Sequence, residues 1–270
     1  GFNTVHGRMP SVLTGANLAN RELLYLGVSG DGDSASIGLG QFAHAMRRGV
    51  RMVYIVENNG VYGLTKGQFS ATADRGSKSK KGATNNDNAI DLVALALQLG
   101  ATYVARGFSG DKTQLVPLIE GAIRHSGAAF IDVVSPCVAF NNHEGSTKSY
   151  DYVRDHNEAV ARIDFIDLAQ PRQLSSSPGD VFDLPQGDGS VMRLRRLRAD
   201  HDPTSRLSAM DVVQRLAAHG EVATGLIYVD TEATDLHQAL NTTAKPLNQL
   251  GEAALCPGEG VLEKVNAGLR

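Results

Sequence analysis

Asp31 stands between Gly30 and Gly32, directly after the apolar run 23–28, LLYLGV. A glycine on each side lets the backbone turn sharply and lets an anion approach it closely. The carboxylate then offers a hard oxygen to a cation. Ser34 opens the helical segment that follows, and the first turn of a helix favours phosphate. A second polar turn, Asn58-Asn59-Gly60, ends the apolar run 52–56, MVYIV, and the twenty-five residues 33–57 separate Gly32 from Asn58. That length fits one helix and one strand, so the two turns close adjacent strands. Asn59 supplies a second oxygen and the Val61 carbonyl a third. Magnesium takes roughly six oxygens in octahedral order, several of them from phosphate and water. The pair of turns therefore points to a magnesium-diphosphate rather than to zinc or a softer metal. Each turn alone is a common structural feature; their combination at one-crossover spacing is what favours the cofactor. A dinucleotide fits worse, because Gly27, Gly30 and Gly32 do not spell G-x-G-x-x-G and only Glu57 stands near the place of a ribose-binding acid.

The elements that must position these turns can be read from apolar periodicity. Runs 23–28 and 52–56 read as fully buried strands, because their apolar residues are continuous. Between them 34–48 reads as a helix, with Arg47 and Arg48 in its last turn and Gly49 at its end. A short helix is predicted over 12–19. Helix 89–99 takes Asn88 as its candidate cap and Gly100 as its stop. Strand 101–105, helix 109–124 with Asp111 near its start, and strand 128–134 follow. The alternation predicts an α/β fold, a mostly parallel sheet with helices on both faces. Ligands of such sheets sit beyond the carboxyl ends of the strands. Asp31, Asn58, Asn59 and Cys137 are thus expected on one edge. The long polar loop 57–88 is expected to be functional or mobile. Residues 1–142 form this domain, and the abrupt start at Gly1 suggests that its N-terminal part is missing. Residues 143–270 read as a C-terminal arm. It contains an exposed helix over 149–164, a linker over 167–180 and a hairpin over 181–198 that turns at 187–189. Helices at 208–219 and 232–240 flank a strand at 225–229.

With 26 Lys and Arg against 29 Asp and Glu, the net charge of -3 argues against nucleic acid or an acidic membrane as a partner. The basic runs 75–81 and 193–198 read as solvated faces. No apolar run approaches the roughly 20 residues of a membrane span, and no signal-peptide pattern is present. Two cysteines, Cys137 and Cys256, make no disulfide framework, and a cytoplasmic protein is expected. A lone cysteine is most often a packed apolar thiol. His6 and His143 read as hydrogen-bonded structural histidines. Asn141 and Asn142 are expected to shape a turn near Cys137. Arg8 and Lys66 flank the turns, each either a partner for a substrate carboxylate or a solvated side chain.

The strings HGR, GDGD, HAMRRG, NNGVYGLTKGQ, SPC and FNNH resemble the β subunit of 2-oxoacid:ferredoxin oxidoreductases, the 2-oxoglutarate type in particular. The resemblance is strong over about the first 165 residues, and GEVATGLIYVD and HQALNT extend it into the C-terminal arm. It implies a thiamine diphosphate-binding fold and an enzyme that decarboxylates a 2-oxoacid oxidatively. The acyl group goes to coenzyme A, and the electrons pass through a [4Fe–4S] cluster to ferredoxin. By this resemblance Asp31, Asn59 and the Val61 carbonyl bind Mg²⁺. Gly30, Gly32, Asp33 and Thr65 line the diphosphate. Lys66 and Arg8 are candidates for the substrate carboxylate. Cys137 is one ligand of the cluster, and Cys256 matches no ligand position and reads as structural. The family's other three cluster cysteines precede the thiamine motif and do not occur here. The glutamate that activates the aminopyrimidine comes from the partner, an α or α/γ subunit. Two alternatives follow from the missing cysteines: a non-catalytic scaffold or electron-transfer subunit that kept the fold, and a cluster-free thiamine decarboxylase.

Overall fold

A computed structural model of the chain describes residues 1–79, 81–166, 181–185, 189–256 and 258–269. Helix α1 (Met9–Ala19) leads into β1 (Leu26–Gly30), a π-helical turn (Gly32–Ile37) and α2 (Leu39–Arg47). Then come β2 (Met52–Asn58), the two-residue strands β3 (Val61–Tyr62) and β4 (Gln68–Phe69), and α3 (Leu92–Gln98). Strand β5 (Tyr103–Phe108), α4 (Lys112–Arg124) and β6 (Ala128–Val134) complete the first half. The second half contains α5 (Tyr150–His156), β7 (Asn157–Ile166), β8 (Val181–Pro185), β9 (Val191–Arg196), α6 (Arg206–Ala218) and β10 (Val222–Val229). Short helices α7 (Leu236–Leu240), α8 (Glu252–Leu255) and α9 (Glu259–Gly268) follow.

Eight strands form one sheet in the order β1-β2-β6-β5-β10-β7-β9-β8. The first four run parallel, as the strand–helix alternation predicts. Alternate residues of β2 feed two cores. Met52, Tyr54 and Val56 join α1, α2, α3 and α6, while Val53 and Ile55 face α4. Phe42, Tyr54 and Phe130 meet edge to face in the first core, with centroids 5.1 to 6.1 Å apart. The sheet is thus covered on both faces.

Several expectations change. Strand β1 lies at the sheet edge and is not fully buried: Leu26 and Val28 are 43% and 51% exposed, and only the opposite face packs on α1. Helix α3 starts three residues later than Asn88 implies, with Asp91 as its cap, accepting from the Val93 and Ala94 amides. The stretch 57–88 contains the β3–β4 hairpin and a bridge between Lys78 and Thr84. The predicted helix over 149–164 is a helix only to His156. Beyond it, Val160, Ala161 and Ile163 pack into the cores as strand β7. Tertiary pairing with β10 and β9 overrides the helical reading there. Four strands of the segment 143–270 extend the same sheet, with β10 antiparallel beside β5. Gly225 has φ +95°, and a Cβ there would meet the Ala161 carbonyl oxygen at 2.1 Å, so the β7–β10 bulge requires glycine. The hairpin of β8 and β9 pairs as expected. The linker 167–180 and most of the hairpin turn lie outside the described residues.

Candidate cofactor site

Parallel registers bring the two turns together. Gly30 of β1 lies beside Glu57 of β2, and Asn58 lies beside Val134 of β6. Asp31, Asn59 and the residues after Val134 therefore share one sheet edge. Asp31 is 1% exposed, and its carboxylate is held by neutral donors. Oδ2 accepts from the Gly60 amide at 3.1 Å, from Thr72 Oγ1 at 2.5 Å and from Ser70 Oγ. Oδ1 has a longer contact, 3.3 Å, with the Asn59 amide. The Asn59 side-chain oxygen accepts from the Val61 amide at 3.1 Å. Tyr62 lies over Gly32 and donates to its carbonyl at 3.0 Å; a Cβ on Gly32 would meet the ring at 2.5 Å.

Gly30, Asp31, Gly32, Asp33, Asn59, Val61 and Thr65 all line one cavity of about 1330 Å³. Its remaining wall is largely apolar, including Leu26, Val28, Ile37 and Leu64. A wall that combines hard oxygens with apolar side chains suits a magnesium-diphosphate with an attached heteroaromatic group. The residues fit that group. The segment after Asp31 winds as a π-helix, a form frequent at functional sites. Ser34 is buried there, 2.5 Å from Ser29 Oγ, and accepts from the Tyr54 hydroxyl at 2.9 Å. Burial pushes the Tyr54 hydroxyl above its ordinary range, so it remains a donor.

The other candidates are placed differently. Asp33 reaches the cavity wall, but its Oδ1 accepts from the Gly7 amide at 2.6 Å and lies 3.0 Å from His6 Nδ1. It thereby ties the N-terminal segment to the site. Thr65 is exposed and donates to Gln68 at 2.6 Å. Lys66, at φ +82°, and Arg8 are exposed and lie outside the cavity wall. Cys137 is a half-buried free thiol. Its sulfur lies 3.5 Å from the point a Cβ on Gly63 would occupy, just behind the cavity-lining loop. Asn141 does shape that turn: its side chain donates to the Asn59 carbonyl at 2.8 Å, and its amide to the Cys137 carbonyl. His143 is exposed and contacts the Glu144 carbonyl. Cys256 is exposed beyond α8, which buries no residue, so the reading of a packed structural thiol does not hold. Arg193 and Arg198 of the second basic run pair with Asp183, Glu158 and Asp200, as a solvated face does. Among the described residues no helix is long and apolar enough to cross a membrane, and no cluster of three His, Cys, Asp or Glu forms a metal site.

Ser70 and Thr72 were not anticipated from sequence, although they hold Asp31 most closely. No local signal marks them: both sit in a turn after β4, closed by the Ala73 amide on the Ser70 carbonyl, and only the tertiary fold brings that turn to Asp31.

Comparison with known proteins places this chain in a family. The family model described as thiamine pyrophosphate enzyme, C-terminal TPP binding domain, matches residues 1–133. A 2-oxoacid:ferredoxin oxidoreductase subunit beta from Sulfolobus sp. is 48% identical over 143 residues, 53% of this chain and 47% of that protein. The 2-oxoglutarate synthase subunit KorB of Archaeoglobus fulgidus is 37% identical over 184 residues, 67% of each chain. A solved 2-oxoglutarate:ferredoxin oxidoreductase from Magnetococcus marinus, with 2-oxoglutarate, coenzyme A and succinyl-CoA bound, superposes with a TM-score of 0.67 at 30% identity. It covers 87% of this chain and 66% of that one. The chain spans about half the length of several curated relatives it matches, 47% of the Sulfolobus sp. protein and 49% of a 2-oxoacid:ferredoxin oxidoreductase subunit beta from Saccharolobus solfataricus. The parallel strand ends, the shared cavity and these matches agree: the chain belongs to the β-subunit family of the 2-oxoacid:ferredoxin oxidoreductases.

Proposed function

We propose that this chain binds Mg²⁺-thiamine diphosphate as the β subunit of a 2-oxoacid:ferredoxin oxidoreductase. With an α or α/γ partner subunit it would convert a 2-oxoacid, 2-oxoglutarate first among them, and coenzyme A to the acyl-CoA, with ferredoxin as electron acceptor. The observation that carries the reading is the buried Asp31 carboxylate, held among the described residues only by amide and hydroxyl donors, at a cavity wall it shares with Asn59 and Val61. Asp31, Asn59 and the Val61 carbonyl would hold the ion, and Gly30, Gly32, Asp33 and Thr65 would border the diphosphate. The bound cofactor supplies the carbanion chemistry of decarboxylation. The chain's own part is to fix the anionic end, to keep the Tyr62 ring over Gly32, and to line the ring end with apolar side chains that exclude water. Lys66 and Arg8, both exposed near the site, are assigned to the carboxylate of the incoming 2-oxoacid.

Cys137 contributes one thiolate to a [4Fe–4S] cluster in this reading, which takes four. Residues 1–270 hold one other cysteine, Cys256, so the remaining thiolates of such a cluster are not supplied by these residues. Thiamine diphosphate and magnesium content of the assembled complex tests the site. Asp31→Ala should lose both, and unchanged content would defeat the assignment. An iron assay and visible spectrum of anaerobic protein, repeated with Cys137→Ser, decides between the cluster-bearing enzyme and a thiamine enzyme without one.

A further inference from the structure

Asp31 is the last member of a chain of buried polar side chains that crosses several strand ends. Thr72 Oγ1 lies 2.5 Å from Asp31 Oδ2 and 2.9 Å from Asn58 Oδ1. Asn58 Nδ2 donates to Asp132 Oδ1 at 3.0 Å. Arg106 donates through Nε to Asp132 Oδ2 at 2.8 Å and through Nη2 to Asp91 Oδ1 at 2.6 Å. Asp91 also caps α3, so the chain is anchored at a helix start. Asn58, Thr72 and Asp132 are 5%, 1% and 1% exposed. Although burial acts against its charge, Arg106 is held protonated by Asp91 and Asp132. Burial likewise acts to raise the Asp91 carboxyl, but the Arg106 guanidinium and the Ala94 and Val93 amides together outweigh it and hold Asp91 below the ordinary range.

The donor and acceptor chemistry gives the chain a direction. Asp132 Oδ1 accepts from the Asn58 NH₂, so Asn58 presents its carbonyl oxygen to Thr72. The Thr72 hydroxyl has three oxygens within reach, Asp31 Oδ2, Asn58 Oδ1 and Ser70 Oγ, and its short 2.5 Å contact is the one to Asp31. Oδ2 of Asp31 is pinned inward by Gly60, Ser70 and Thr72, and Oδ1, with its single 3.3 Å contact among the described residues, is left for a ligand.

We propose that Thr72, oriented through Asn58 by the Asp132–Arg106–Asp91 ion group, is a positioning residue that selects Oδ1 of Asp31 as the metal-facing oxygen. This rests on the magnesium-diphosphate reading of Asp31. Residues behind a metal ligand typically change metal affinity about 10- to 100-fold when replaced.

The test uses the full-length protein in complex with its partner subunit, with thiamine diphosphate present and Mn²⁺ in place of magnesium. Free Mn²⁺ is counted from its electron paramagnetic resonance signal. Thr72→Val keeps the branched shape and removes the hydroxyl; Thr72→Ser keeps the hydroxyl. Thr72→Val should weaken Mn²⁺ binding roughly 10- to 100-fold, and Thr72→Ser should bind as wild type does. Thr72→Ala is measured alongside, so that a folding failure of the valine variant does not end the test. Asp31→Asn should bind no Mn²⁺. Wild-type affinity in both hydroxyl-free variants, with binding lost in Asp31→Asn, overturns the positioning role and leaves the metal site standing. Equal losses in the serine and valine variants also overturn it, because shape and not the hydroxyl would then matter. Wild-type affinity in Asp31→Asn overturns both readings.

Discussion

Asp31, just after β1, and Asp132, within β6, are both 1% exposed, yet they are held in opposite ways. Asp132 meets the Arg106 guanidinium at 2.8 Å, and Asp91 shares that cation at 2.6 Å. Asp31 has no cation partner among the described residues; two amides and two hydroxyls surround it. Removing a carboxylate from water is costly, and hydrogen bonds from neutral donors offset only part of that cost. The protein therefore completes one buried charge group from its own side chains. It leaves the other to be completed by what enters the cavity. The first is scaffold and the second is site, and the hydrogen-bond chain through Asn58 and Thr72 joins them.

Replacing Arg106 by Met should break this contrast most severely. It leaves Asp91 and Asp132 uncompensated, and urea denaturation should show a loss of about 3–5 kcal/mol. A smaller effect comes from His125, a third buried titratable group, which the fold keeps neutral. Burial is the main cause, with the Arg51 charge adding to it and Asp230 opposing, and together they push its pKa down to about 4 from 6.5. Below pH 6.5 the unfolded chain binds the proton and the folded chain does not. Stability is therefore fully present above pH 6.5 and falls as pH drops toward about 4, by about 3 kcal/mol for this group. Comparing urea midpoints at neutral and acid pH, His125→Gln should lack that increment. A wild-type acid loss in the variant would assign the transition to other groups. Asp111→Ala gives the scale for a carboxylate whose work is capping alone. Its oxygen accepts from the Thr113 and Gln114 amides at the start of α4, and thermal unfolding should show a loss of about 1 kcal/mol. Asp31→Asn should cost least without cofactor, within about 1 kcal/mol of wild type, since the amide keeps an acceptor toward Oδ2's donors and removes an unpaired buried charge.

Much of this contrast is visible in the chain before folding. GDG after one apolar run and NNG after the next, one crossover apart, fix two oxygens on one edge, because parallel strands joined by a right-handed crossover end on the same side. Asp111 and the strand 128–134 were equally legible, since cap chemistry and a continuous apolar run are local signals. What joins the site to its scaffold was not. Arg106 lies in a strand where every residue is buried, and nothing local says that its charge meets Asp91 and Asp132, fifteen and twenty-six residues away. Asp91 rather than Asn88 caps α3 because it serves the amides and Arg106 together. Residues 157–166 carry a helix-compatible pattern, and only the pairing with β9 and β10 makes them a strand. The exposed face of β1 was hidden for the same reason: LLYLGV does not say whether its strand is central or at an edge.

The central claim, that Asp31 is a buried charge awaiting a cation, is tested most directly by cofactor-linked stability. The assembled complex is unfolded thermally with and without Mg²⁺ and thiamine diphosphate, as wild type and as Asp31→Asn. A ligand at about 100 times its dissociation constant stabilises the native state by about 2.7 kcal/mol. The account predicts that wild type gains this increment, and that Asp31→Asn, equally stable without cofactor, gains none. An Asp31→Asn protein stabilised by Mg²⁺-thiamine diphosphate as fully as wild type would contradict it.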